Sequence, residues 1–355
     1  DEKNRLSVFA SAANTDRDSY YGPGNDPLKA YGKTTDLTAM GGAQYVHTFG
    51  KCLFMPSDLT AGLEYNRDRL KDNMWGYDRH TDQTVNIYSA FLQNEWKNDR
   101  WGILIGGRLD KHNMVDNVIF SPRANLRFNP TRNINLRLSY SSGFRAPQAF
   151  DEDMHIENVG GTVAMIERAK DLKEEKSQSF SASADMYHRF GAFQTNLLIE
   201  GFYTRLTDVF VLGEPYDRGD GILVKTRSNG PGAKVMGLTL EGKVAYLSIL
   251  QIQAGLTLQR SRYDEPHKWH DDAPAEKKIF RTPDTYGYFT ATYTPVKPLS
   301  IALSGTYTGK MLVQRMDITA ENAKLGEMPE RKAEAIRTPR FFDLGVKLAY
   351  DFKLY

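Results

Sequence analysis

A chain of 355 residues is long enough for one large barrel or one sizeable core without several domains. Its 46 Lys+Arg against 44 Asp+Glu leave a formal charge of +2, without the basic excess of a nucleic-acid binder, and the lone Cys52 excludes an internal disulfide framework. No run approaches the ~20 consecutive apolar residues of a membrane helix. The mean hydropathy of −0.53 reads as soluble, yet a transmembrane barrel gives the same value because only alternate strand residues meet lipid.

The elements that follow along the chain are strands. Fourteen are predicted, centred near residues 9, 42, 63, 90, 106, 124, 139, 182, 200, 240, 256, 290, 304 and 346. Alternation of apolar and polar residues carries them. In Ile134-Asn135-Leu136-Arg137-Leu138-Ser139-Tyr140-Ser141 the odd-numbered positions are polar and the even ones apolar or aromatic. The same period of two runs through Leu250 to Gln259, Leu299 to Ser304 and Phe342 to Tyr350. Successive side chains of a strand point to opposite faces, so each run has one apolar and one polar face. Most runs reach the ~9–11 residues needed to cross a bilayer at a tilt, beyond the ~5–6 typical of soluble sheets.

Connections alternate in length. Short turns are expected near Lys97–Asp99, Asn129–Asn133, Arg189–Ala192, Leu247–Ile249 and Thr294–Pro298. Long polar segments are expected near 14–35, 66–82, 145–175, 205–234, 261–284 and 309–340. Short periplasmic turns and long outward loops are the asymmetry of a bacterial outer-membrane barrel. Aromatics beside the short turns, among them Trp96, Trp101, Phe128, Phe190, Phe193 and Tyr246, read as an interfacial girdle. The fold expected is therefore all-β: an antiparallel transmembrane β-barrel forming a single domain over 1–355.

Four segments, in order, carry a family likeness. They are Ser139-Tyr140-Ser141-Ser142-Gly143-Phe144-Arg145-Ala146-Pro147, Asp171-Leu172-Lys173-Glu174-Glu175-Lys176-Ser177, Gly232 to Glu241, and Arg281-Thr282-Pro283. Together they resemble TonB-dependent outer-membrane receptors, particularly the Bacteroidetes type. The first is similar to the family's FRAP box and the second to its L-K-P-E-x-S segment. Ala169-Lys170 and Glu174 depart from the family pattern, so no subfamily's ligand carries over.

The resemblance implies about 22 strands around an N-terminal plug. The visible fourteen would then be part of that barrel, with the plug outside this chain. It implies import of a scarce chelate (ferric siderophore first, then haem or cobalamin) across the outer membrane of a Gram-negative bacterium. The TonB complex would act as partner through a plug, with membrane lipid and lipopolysaccharide around the wall. A porin or adhesin barrel, or a soluble carbohydrate-binding β-protein, are the rival readings.

No catalytic constellation emerges, so neither an enzyme nor a resident cofactor is expected. Outward aromatics and charges form the candidate ligand surface: Tyr77, Arg79, Tyr216, Arg218, Tyr263 and Trp269, which could stack on or pair with a bulky anionic chelate. Each could equally pack a loop. Arg145 reads as a strap between loop base and strand or as a ligand contact. His155 follows the FRAP box, where haem receptors of the resembled family carry an important histidine. A solvated loop histidine is the plainer reading. His267-x-x-His270, with Asp271 and Asp272, has a metal-ligand spacing that suits a helix, whereas this segment reads as loop.

Overall fold

The computed structural model describes residues 3–20, 31–149, 157–159, 162–219, 223–270, 273–318 and 331–352. In chain order the strands are β1 (Asn4–Tyr20), β2 (Tyr31–Cys52), β3 (Met55–Met74), β4 (Arg79–Lys97), β5 (Trp101–His112), β6 (Ile119–Thr131) and β7 (Ile134–Arg145). Then come β8 (Glu157–Val159), β9 (Thr162–Arg168), β10 (Glu175–Phe190), β11 (Phe193–Thr207), β12 (Phe210–Asp217), β13 (Leu223–Asn229) and β14 (Ala233–Tyr246). The last are β15 (Leu250–His267), β16 (Glu276–Lys278), β17 (Thr285–Val296), β18 (Leu299–Thr308), β19 (Leu312–Ile318), β20 (Arg331–Arg337) and β21 (Phe341–Tyr350).

Fourteen of these form one wall in the order β1-β2-β3-β4-β5-β6-β7-β10-β11-β14-β15-β17-β18-β21, and β16 adds to the rim of β15. Every neighbouring pair in the wall is antiparallel, and each predicted strand centre falls in one of these fourteen strands. The sheet ends at β1 and β21, so it does not close on itself among the described residues. Among those residues no helix is long and apolar enough to cross a membrane.

Antiparallel order places all short turns at one end. Six occur there, between β2 and β3, β4 and β5, β6 and β7, β10 and β11, β14 and β15, and β17 and β18. Their chemistry is local. Asn98 accepts the backbone N–H groups of Arg100 and Trp101 at 2.9 and 2.7 Å, closing an Asx turn. Gly191 supplies a left-handed residue at φ 58°. The girdle forms at this end: Phe54 stacks on Trp96 at 5.7 Å, Trp101 on Phe128 at 4.2 Å, and Phe193 meets Phe190 and Tyr246 at 5.4 and 4.8 Å.

The opposite end differs from the expected loops in extent. Wall strands run on into segments expected as loops, so β3 and β4 continue to a tight apex at Trp75–Asp78. Two connections also carry strands that join in a separate sheet, ordered β12-β13-β9-β8, and a third carries the β19–β20 hairpin.

Burial is inverted relative to a soluble sheet. Leu63 (66 % exposed), Leu92, Ile105, Leu109, Phe120, Leu238, Leu256 and Leu258 are exposed on one face. Thr34, Asp72, Gln83, Ser89, Asp110, Thr257 and Ser261 are buried on the other. The polar face is knit by ion pairs and hydroxyl contacts: Arg108 to Glu64 and Asp110 at 2.6 and 2.8 Å, Lys97 to Asp58 at 2.6 Å, and Thr239 to Thr257 at 3.1 Å. A contiguous apolar band on the outside of a sheet has no stable home in water, whereas lipid is its natural solvent.

Candidate functional site at the outer mouth

The site is built where the β3–β4 apex meets the separate sheet. Asp78 adopts a left-handed conformation (φ 47°, ψ 42°) that closes the 3-10 turn Trp75–Tyr77 and starts β4. Arg79 then points inward. Its Nη2 and Nε donate to Asp72 Oδ2 at 2.8 and 3.2 Å, and Thr34 donates to Asp72 Oδ1 at 2.6 Å. Both members are shielded, with Arg79 10 % and Asp72 2 % exposed at the side chain. The ion pair fixes the apex.

The separate sheet is made of two connections that are distant in sequence. The β12–β13 hairpin comes from the β11–β14 connection, and β13 pairs in parallel with β9 from the β7–β10 connection, matching Leu223–Arg227 to Ala164–Arg168. Its interior buries Met165, Val211, Val224 and Arg227. It is pinned to the apex and to β4. Arg218 Nη2 donates to the Tyr77 carbonyl at 2.9 Å. Arg168 Nη1 donates to Gln83 Oε1 and to the Pro147 carbonyl, both at 2.9 Å.

Between these parts lies a cleft of about 630 Å³, lined by Arg79, His80, Arg168, Lys170 and Arg218, with Asp78 and Glu167 as its carboxylates. Cations outnumber anions there, and three of them are guanidiniums, whose planar donor forks suit carboxylate, phosphate or catecholate-type oxygens. Of the expected residues, Arg79 and Arg218 line this cleft together, and Tyr77 supports it as a buried ring whose hydroxyl is pushed up by burial. Arg168, Lys170 and Gln83 were not expected. Nothing in their local spacing marks them, since they matter through non-local pairing.

The other expected residues fall elsewhere. Tyr216 is exposed on β12 and does not line the cleft. Tyr263, His267 and Trp269 gather near the end of β15. Tyr263 lies 5.6 Å from the His267 ring, and Trp269 lies 5.8 and 6.2 Å from His270 and Phe280. His267 hydrogen-bonds the Leu212 backbone, and burial lowers its pKa. Its ring therefore links the separate sheet to β15. The Arg145 guanidinium lies 5.4 Å over the Phe210 ring, and Glu175 accepts the Phe210 N–H at 2.8 Å, so Arg145 straps β7 to β12.

His155, Asp271 and Asp272 lie outside the described residues. Among the described residues no group of three or more His, Cys, Asp or Glu converges as a metal site.

His112 locks the segment after the FRAP box. It is fully buried, its Nδ1 accepts the Met114 N–H at 3.0 Å, and its Nε2 lies 3.2 Å from Gln148 Oε1. Those contacts assign the neutral Nε2–H tautomer, and burial holds the ring's pKa below its ordinary value. Ala146 packs with Val115 and Ile119, against which Phe144 rests.

Residues 2–355 match the family described as TonB dependent receptor-like, beta-barrel. The chain belongs to this family. A comparison with curated proteins gave no match. Among solved structures, the TonB-dependent barrel resembles the siderophore receptor PirA of Acinetobacter baumannii (TM-score 0.68, 15 % identity, 99 % of this chain and 54 % of that one). It also resembles the ferric enterobactin receptor PfeA of Pseudomonas aeruginosa (TM-score 0.67, 16 % identity, 99 % and 52 %). A third likeness is to the FrpB iron transporter of Neisseria meningitidis (TM-score 0.65, 15 % identity, 98 % and 53 %). At these identities the likeness is one of fold, and the chain spans about half the length of each. The narrower Bacteroidetes type stays an expectation of the sequence.

Proposed function

We propose that this TonB-dependent barrel forms wall and mouth of an outer-membrane receptor that captures a metal chelate, an anionic ferric siderophore before haem or cobalamin, for energised import. The observation that carries the reading is the cleft at the outer mouth, where Arg79, Arg168 and Arg218 converge above a polar inner wall. The structures it resembles include a siderophore receptor, a ferric enterobactin receptor and an iron transporter, which supports the same cargo class. Coupling to the TonB complex is proposed from family membership, and no wall residue is assigned to it. The barrel would make and break no covalent bond. Its part is to bind, to exclude competitors and to provide a wet path.

Binding of a ferric catecholate, a neutral ferric hydroxamate, haem and cobalamin to the full-length receptor in detergent tests the reading. The anionic catecholate should bind most tightly, and Arg218→Ala with Arg168→Ala should weaken it at least tenfold. Equal binding of all four, or an unchanged catecholate affinity in the double variant, would remove the proposal. Unchanged haem affinity in His155→Ala would remove the haem branch.

A further inference from the structure

The register of β6 and β7 sorts their side chains onto two faces. Ala124 with Tyr140, Leu126 with Leu138 and Phe128 with Leu136 form the outward, apolar face. Arg123 with Ser141, Asn125 with Ser139 and Arg127 with Arg137 form the inner one. Two arginines therefore stand directly opposite each other on the inner wall. Residues so placed have Cβ atoms about 4.5–5.5 Å apart, and like charges at that separation repel. An anion between the two guanidiniums turns the repulsion into attraction.

The wall gives the pair room and holds it without neutralising it. Gly102 on β5 faces Arg127, and Ser183 on β10 faces Arg137. The Arg127 guanidinium lies over Gly102, where an added Cβ would meet Nε at 3.2 Å. Its Nη2 donates to the Asn98 and Trp101 carbonyls at 3.0 and 3.5 Å, while Nε is buried without an acceptor. Arg137 Nε donates to Asn135 Oδ1 at 2.6 Å, and Arg123, two inner positions above Arg127, donates to Gln93. All these acceptors are neutral.

Other inner-wall cations on the neighbouring strands have carboxylate partners. Lys97 pairs with Asp58 at 2.6 Å, and Arg108 with Glu64 and Asp110 at 2.6 and 2.8 Å. Around Arg137, Asp185 faces Asn135 but accepts from the Tyr187 hydroxyl and the Asn196 amide, and Glu200 lies one strand further, across from Ser183. Arg123, Arg127 and Arg137 form no ion pair among the described residues.

We propose that Arg127 and Arg137 form an oxyanion site on the inner wall near the short-turn end, which takes a carboxylate group between two guanidinium forks. A planar carboxylate matches such forks with paired N–H donors. The carboxylate belongs either to a free anion inside the wall or to a side chain of the receptor itself, and the test separates the two. The inference is independent of what the cleft at the mouth binds.

The test is modification of the full-length receptor in detergent by phenylglyoxal, which attacks accessible guanidiniums, with rates read residue by residue by peptide mass spectrometry. Arg132, in the β6–β7 turn, is the reference. If the site takes a free anion, citrate should slow Arg127 and Arg137 at least tenfold against chloride of equal ionic strength and leave Arg132 unchanged. If a side chain of the receptor fills it, both should already react at least tenfold more slowly than Arg132, and about 1 M sodium chloride should lift the protection by screening. In either case Arg137→Gln, its folding checked by band shift on boiling in SDS, should remove the protection of Arg127. Modification at the Arg132 rate with and without citrate, protection that salt does not lift, equal slowing of Arg132, or protection of Arg127 that survives Arg137→Gln would each overturn the proposal. Arg168 and Arg218, read from the same digest, report on the cleft separately.

Discussion

The Arg79–Asp72 pair should be worth far more broken than replaced. Arg79→Met strands the Asp72 carboxylate, 2 % exposed, with only the Thr34 hydroxyl as a donor at 2.6 Å. Removing one partner of a buried ion pair costs about 3–5 kcal/mol, because the remaining charge stays desolvated. Replacing both, as Arg79→Met with Asp72→Leu, should cost only about 1 kcal/mol, chiefly the lost bond from Thr34. The pair holds the outer rungs of β3 and β4, where Asp72 faces Thr81 and Met74 faces Arg79, so the effect is local. Amide hydrogen exchange over 66–90 should therefore accelerate roughly 10²- to 10³-fold in the single variant, at about 1.4 kcal/mol per decade, and less than tenfold in the double. Exchange equally fast in both variants would refute the argument, since it would mean that packing and not the orphaned charge sets the stability of the apex.

Arg218→Ala removes a charged donor from the Tyr77 carbonyl, a contact worth about 1.5–3 kcal/mol, and should raise proteolysis of the β12–β13 hairpin while Tyr216→Ala leaves it unchanged. For pH, the folded state holds His112 neutral, whereas the unfolded chain protonates near 6.5. The stability is thus present above that value and lost as pH falls below it. Exchange of residues 144–149 should speed up on acidification, and His112→Gln should flatten the profile. Leu256→Arg on the lipid face should cost about 2–4 kcal/mol, read as a lower thermal midpoint of the folded band, whereas Gln251→Arg on the inner face should be nearly silent. Gly255→Ala should displace the Tyr288 ring, which an added Cβ would meet at 2.6 Å, and cost about 1–3 kcal/mol in the same assay.

The wall was legible in the sequence because lipid on one side and water on the other impose a strict period of two. All fourteen strand centres rest on that constraint. Where the constraint ends, so does the signal. In Asn66-Arg67-Asp68-Arg69 both faces are polar, yet β3 and β4 keep their ladder to Met74–Arg79, so strands continue through residues that read as loop. The turn between β2 and β3 was missed for a related reason. Lys51-Cys52-Leu53-Phe54 lacks Gly, Asn or Asp, and the reversal is made by Leu53 at φ 61° beneath the Phe54–Trp96 stack. Tertiary packing there outweighs local turn chemistry.

The site was only half legible, and the topology explains which half. Arg79 and Arg218 stood out as charged residues among outward aromatics, but what makes them neighbours is the parallel pairing of β9 with β13, whose partners lie 59 residues apart (Ala164 with Leu223). No local pattern encodes such a pair. It has a physical consequence for the mouth. Arg168 ends β9 and faces Arg227 on β13, while Arg218 follows the β12 strand of the same hairpin. Their anchors on Gln83, Pro147 and Tyr77 therefore belong to one sheet. On the other side His267 ties that sheet to β15. Opening the cleft by moving one connection alone would have to break the five rungs from Leu223 to Arg227. Moving both together breaks only the side-chain anchors. The cheaper motion is the concerted one, so a ligand that competes for the anchoring guanidiniums acts on both connections at once.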